Sequence, residues 1–232
     1  MLIPRIFHQI WVGPDPFPEE YRSYQESWLR HNPDWELRFW TDESLPEGLR
    51  RPEVYDRSRT PWERADILRL EVVLREGGVH VDADFECLRP IDPLLGDVEF
   101  FIGYRKQGHV NGALFGATAG HPILEEGLAR IPPLADGGYD KDATGPKFLD
   151  DLLADRPGVT YFEPPVFYPR TPDELDAAHA VHHKARGWKD DEGLRRSLAK
   201  AEKRLLEAQE EARDWRLKYE QAEAELNRLR PG

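Results

Sequence analysis

The sequence predicts an α/β domain organised on a mostly parallel sheet, continued by one long amphipathic helix. Three observations predict it. Strand-like and helix-like segments alternate with short connections through most of the chain. A strongly capped, largely apolar helix leads straight into a strand-like run ending in two aspartates. From about Asp190 onward the apolar spacing changes to that of a coiled coil.

The elements follow in order. Arg5–Val12 (Arg-Ile-Phe-His-Gln-Ile-Trp-Val) reads as a buried first strand that stops at the turn signal Gly13-Pro14. Glu19–Arg30 reads as a helix closed by His31-Asn32-Pro33, and Trp35–Trp40 alternates like a second strand. In Thr60-Pro61-Trp62-Glu63, Thr60 suits the N-cap, Pro61 the first helical position and Glu63 the far side of a capping box. That helix runs to Glu76 and ends at Gly77-Gly78, and Val79–Asp84 is then read as a strand. Glu99–Tyr104, Gly112–Gly116 and Val159–Phe162 are further expected strands; His121–Ile131 and Thr144–Leu153 are expected helices. Pro164–Pro172 reads as a proline-rich aromatic loop and His179–Trp188 as an irregular segment. Leu194, Leu198, Ala201, Leu205, Ala208, Ala212, Trp215, Tyr219, Ala222, Leu226 and Leu229 keep the four-three spacing of a coiled-coil seam. The expected organisation is a domain over 1–189 and a helical tail over 190–232, which either pairs with another copy of the chain or folds back on the domain.

Composition narrows the function. The 232 residues hold 39% hydrophobic side chains, enough for a sizeable core. Acidic residues outnumber basic ones 44 to 32, a net charge of −12, which disfavours nucleic acid and anionic membrane surfaces as partners. The single cysteine, Cys87, excludes an internal disulfide. The N-terminus lacks the pattern of a signal peptide, and no apolar run has the length of a membrane span. A soluble cytoplasmic protein is the expectation.

Candidate chemistry centres on Asp82-Ala83-Asp84. On a strand, Asp82 and Asp84 point to one side, giving a hard oxygen-lined site suited to Mg²⁺ or Mn²⁺ and shared with substrate phosphates. The plain alternative is a solvated acidic turn. Asp66 and Arg69 share one face of the preceding helix, either as a buried functional pair or as a local surface ion pair. Trp11, at the end of the first strand, is placed to stack on a base or to serve as a rim tryptophan. His182 and His183 are either surface residues or contributors to a metal shell.

Taken together, these residues resemble the glycosyltransferase family named for its sugar-binding region with a DxD motif. That family includes fungal initiating mannosyltransferases and bacterial capsular polysaccharide enzymes, and is related to the glucosylating domains of large clostridial toxins. The matching stretches are Ile3–Trp11, Arg64–Arg69, Gly77–Asp84, Asn111-Gly112, Gly120-His121-Pro122, Thr144-Gly145-Pro146 and His182-His183 with Trp188. The resemblance implies a GT-A-type (Rossmann-like) fold, a UDP- or GDP-linked hexose donor, Mn²⁺ or Mg²⁺, and transfer with retention to a glycan, lipid-linked or protein acceptor. It implies that Trp11 stacks on the donor base and that Asp66 and Arg69 hold donor sugar or ribose. It further implies that Asp82 contacts the donor and Asp84 binds the metal. His182 is assigned to metal or diphosphate, Trp188 to phosphate, and Asn111 to the sugar or acceptor side. Gly187 stands where the family usually has a serine before the tryptophan, so that hydroxyl is missing. A different class also fits: a non-catalytic nucleotide-sugar-binding or coiled-coil interaction protein built on such a domain.

Overall fold

A computed structural model describes residues 2–58, 60–132, 141–154 and 156–183, with the backbone alone for Lys141 and Asp142, together with Arg213, Trp215, Arg216 and Lys218. The chain divides into two compact units, Met1–Ala185 and Arg186–Gly232. In the second, the four described residues are helical and exposed, and Lys218 Nζ sits 5.2 Å from the centroid of the Trp215 ring. The remainder of the expected tail helix, with Gly187 and Trp188, lies outside the described residues.

The first unit opens with β1 (Ile6–Ile10), α1 (Glu19–His31), β2 (Glu36–Trp40), α2 (Pro52–Arg57), α3 (Pro61–Glu76) and β3 (Gly78–Val81). It continues with β4 (Phe85–Cys87), α4 (Asp92–Leu95), β5 (Phe100–Lys106), β6 (His109–Ala117), α5 (Pro122–Arg130), α6 (Lys141–Thr144) and α7 (Pro146–Leu153). It closes with β7 (Thr160–Phe162), α8 (Pro164–Phe167), α9 (Pro172–Ala177) and β8 (Ala180–His182). Six strands form one sheet in the order β2-β1-β3-β6-β5-β7; β4 and β8 form a separate antiparallel pair.

The sheet is mixed but mostly parallel. β1 pairs parallel with β2 and β3, and β5 with β7, while β6 runs antiparallel to both β3 and β5. The β5–β6 hairpin explains the reversal, since a two-residue connection allows only an antiparallel return. Alternation along β1 sends Phe7 to one face and Ile10 to the other. Phe7 joins Trp28, Trp35, Val79 and Phe85 under α1; Ile10 joins Ile67, Leu68, Val72 and Phe115 under α3. Each fully buried side chain of this size contributes about 1.5–3 kcal/mol, so the two cores clamp the sheet from both sides.

α3 is held at both ends. Thr60 Oγ1 accepts from Glu63 N at 3.3 Å, and Glu63 Oε2 accepts from Thr60 N at 3.1 Å, closing the capping box. At the other end Gly77 takes φ 66°, a conformation that favours glycine, and its N–H donates to Val73 O. The result is a fixed helix, buried from Ile67 through Leu74, directed into β3.

Three expectations need correction here, and the simplest is that the expected loop over Pro164–Pro172 opens with the short helix α8, which starts on a proline suited to the first helical turn. The strand expected over Val79–Asp84 ends at Val81. Asp82 N still donates to Ala113 O of β6 at 2.8 Å, but Asp82 O accepts from Phe85 N at 3.1 Å, closing a reverse turn over 82–85. Aspartate at the first position of such a turn is favoured, and this local preference ends the ladder. The segment after His179, expected to be irregular, carries β8, which pairs with β4 in the register Phe85↔His182. Periodicity missed it because a three-residue strand is too short to show alternation.

Candidate active site at the C-terminal edge of the sheet

β1 and β3 run parallel with His8 opposite His80, so Trp11 and the Asp82–Asp84 turn leave the sheet at one level and one edge. In parallel α/β sheets, ligands bind at this edge. The turn, rather than strand alternation, brings the two carboxylates together. β8 then delivers a third group: His182 Nε2 lies 3.1 Å from Asp84 Oδ1. One ligand atom from each of Asp82, Asp84 and His182 falls within 4.8 Å of the others.

Each member is positioned. The His182 ring stacks on Phe85 at 4.9 Å with a 3° interplanar angle, and His183 N donates to Asp84 O at 3.0 Å. His80 Nε2 lies 3.0 Å from Asp82 Oδ1. Burial pushes the His80 imidazole below its usual range, so at neutral pH it is an uncharged donor that orients Asp82. Asp84 and His182 side chains are each only 12% exposed, whereas Asp82 is 38% exposed and faces the opening.

Arg69 and Asp66 form a buried ion pair rather than a surface one. Thr144 Oγ1 donates to Asp66 Oδ2 at 3.0 Å. Burial pushes the Asp66 carboxyl up to about 6, against the opposing effects of Arg69 and the Thr144 hydrogen bond. The guanidinium lies against Gly112, where an added Cβ would stand 2.8 Å from Arg69 Cζ. That glycine lets the cation reach the field of Asp82. With Asp66 neutralised by Arg69, Asp82 and Asp84 remain as closely placed carboxylates, and such an arrangement favours a bound cation.

The remaining candidates sit around this centre in different ways. Asn111 on β6 is half-buried, and its Oδ1 accepts from Ala113 N at 3.1 Å. Trp11 belongs to a ring cluster, edge-on to Phe17 at 5.4 Å and Tyr21 at 5.9 Å, and its indole N–H donates to Asp15 O at 2.8 Å. Trp188 lies outside the described residues. Sequence reasoning gave no role to His80 or Thr144. The His80–Asp82 spacing of two was a usable signal for the former; nothing local paired Thr144 with Asp66, 78 positions away.

Residues 18–101 match the family described as the glycosyltransferase sugar-binding region containing DXD motif. The fold resembles a solved structure titled PaToxG glycosyltransferase, with a TM-score of 0.55 and 17% identity over 66% of this chain and 69% of that one. Over residues 18–101 the chain is thus similar to the DXD glycosyltransferase family, on a fold of GT-A type. Among sequence relatives, inositol phosphoceramide mannosyltransferase 3 of Schizosaccharomyces pombe is 31% identical over 63% of this chain and 44% of the relative. Initiation-specific alpha-1,6-mannosyltransferase of Candida albicans is 24% identical over 71% of this chain and 56% of the relative. The chain thus spans about half the length of the relatives it matches. Among the described residues, no helix is long and apolar enough to cross a membrane.

Proposed function

We propose that the protein transfers a hexosyl unit from a UDP- or GDP-linked sugar to an acceptor hydroxyl, using Mn²⁺ or Mg²⁺ held by Asp82, Asp84 and His182. The observation that carries this reading is the convergence of two carboxylates and an imidazole within 4.8 Å at the ligand-binding edge of the sheet. Carboxylate oxygens with one imidazole nitrogen suit a divalent cation of this kind. When bound, such an ion supplies Lewis-acid neutralisation of the departing diphosphate.

The chain's own residues do the rest. Asp66 and Arg69, fixed to each other and by Thr144, present a carboxylate to sugar or ribose hydroxyls and a cation to developing negative charge. Trp11 offers a ring at the same edge for the base, and Asn111 lines the sugar or acceptor side. Trp188 is assigned to a phosphate. The bond from the anomeric carbon to the diphosphate breaks as the bond to the acceptor oxygen forms. The acceptor's proton passes to the leaving diphosphate, and attack from the leaving-group side gives retention. A mannosyl donor is the first to test, because the relatives are named mannosyltransferases. A glycan or lipid-linked acceptor is in keeping with the same names.

The test is nucleotide release from UDP- and GDP-sugars with Mn²⁺, in the presence of candidate acceptors, for the unmodified protein and Asp84→Ala. The expected result is donor-selective, Mn²⁺-dependent release that Asp84→Ala abolishes while remaining folded. Near-normal turnover by Asp84→Ala overturns the metal-site assignment.

A further inference from the structure

Tyr168, which follows α8, is a buried polar group that none of the above uses. It is 5% exposed, and its hydroxyl has no hydrogen-bond partner among the described residues. Its place is well determined. The ring meets Phe85 edge-on at 5.4 Å and His182 at 6.0 Å, the two side chains paired across β4 and β8. β5 makes room for it, since a Cβ on Gly103 would stand 2.9 Å from Tyr168 Cε2. The charges that reach the phenol include Asp82, Arg69 and Asp84, the members of the site just described.

An unmade hydrogen bond on a buried hydroxyl is costly, and such a group calls for a partner from outside the chain, water or a ligand. The nearby carboxylates already have other partners, Asp84 Oδ1 with His182 and Asp82 Oδ1 with His80. A phenol keeps its proton at neutral pH, so toward an anionic oxygen it can only donate. The anionic oxygens expected beside Asp82, Asp84 and His182 are those of the donor's diphosphate. We propose that Tyr168 is a donor-binding residue whose hydroxyl donates a hydrogen bond to a diphosphate oxygen; this rests on the reading of the site as a nucleotide-sugar site.

Tyr168→Phe removes the oxygen and keeps the ring. Two quantities are measured on the full chain: the melting temperature without ligand, and the affinities for Mn²⁺ alone, Mn²⁺–UDP and Mn²⁺–GDP by calorimetry. The expected result is a ligand-free protein that melts about 2–4 °C higher, because an unpaired buried hydroxyl is gone. The preferred nucleoside diphosphate binds about 10-fold or more weakly, with Mn²⁺ affinity unchanged. A lower melting temperature, unchanged nucleotide affinity or weaker Mn²⁺ binding overturns the assignment of Tyr168 while leaving the nucleotide-sugar reading intact. If the unmodified protein binds neither nucleotide in Mn²⁺, the nucleotide-sugar reading itself falls and Tyr168 with it.

Discussion

Gly112→Ala puts a single methyl into the contact that seats Arg69. The backbone there is not in the left-handed region, so alanine adds no conformational strain and the effect is steric. The new Cβ would stand 2.6 Å from Leu149 Cδ1, 2.8 Å from Arg69 Cζ and 3.0 Å from Arg69 Nη1. The two neighbours respond differently. Leu149 borders a small apolar void with Leu70, Phe100, Phe115 and Leu152, and its terminal methyl can retreat into it. Arg69 is 7% exposed and tied to Asp66, so relief requires moving the guanidinium by about 0.5–1 Å or breaking the pair. Overpacking of this kind costs about 1–3 kcal/mol, and a displacement near 1 Å at a reacting centre costs roughly 100-fold in rate. The variant is therefore expected to melt several degrees lower and to lose about 10- to 100-fold in kcat/KM for Mn²⁺-dependent nucleotide release, with Mn²⁺ affinity kept. A Gly112→Ala protein with unchanged melting temperature and unchanged kcat/KM would refute the placement of Arg69.

Two further outcomes follow from the scaffold. Thr60→Ala removes the cap of α3 and is expected to cost about 0.5–2 kcal/mol, read as a fall in melting temperature of a few degrees, with nucleotide affinity retained. His8 sets an acid limit to stability. Trp40 Nε1 donates to its Nδ1 at 3.1 Å, so the neutral ring carries its proton on Nε2 and donates to Gly77 O at 2.8 Å. Burial lowers its pKa from 6.5 to about 4, so the unfolded chain takes up the proton first. The contribution is complete above about pH 6.5 and is lost as pH falls towards 4, amounting to about 3 kcal/mol. Melting curves from pH 7 to 4, with the His8 ring followed by NMR, check this; a ring titrating above pH 6 contradicts it.

How much of this was legible in the sequence varies with the range of the interaction. α3 was readable at both ends because Thr60, Glu63 and Gly77 act on their own backbone neighbours. Asp66 and Arg69 were readable as a pair because three residues make less than one helical turn, but their burial depended on Thr144 and Gly112 from distant segments. The convergence of Asp82 and Asp84 was anticipated for a mistaken reason, since a turn rather than strand pleating brings them together. Residue type alone left His182 open between a surface residue and part of a metal shell, and the resemblance assigned it to metal or diphosphate; what holds it against Asp84 is a three-residue strand with no periodic signature. Tyr168 lay unread in a proline-rich stretch, because a tyrosine there carries no local sign of where its hydroxyl ends.

The pairing of β4 with β8 also sets the order in which the protein can come into being. Asp84 leaves the ribosome 98 residues ahead of His182. At synthesis rates of about 5–20 residues per second, a nascent chain waits roughly 5–20 s with the two aspartates made and their histidine still to come. During that interval any cation held by the turn has carboxylates alone, and Phe85 lacks the imidazole that covers it. Assembly of the centre thus waits until β8 has been made, and a chain cut short before Ala180 lacks the strand that completes it.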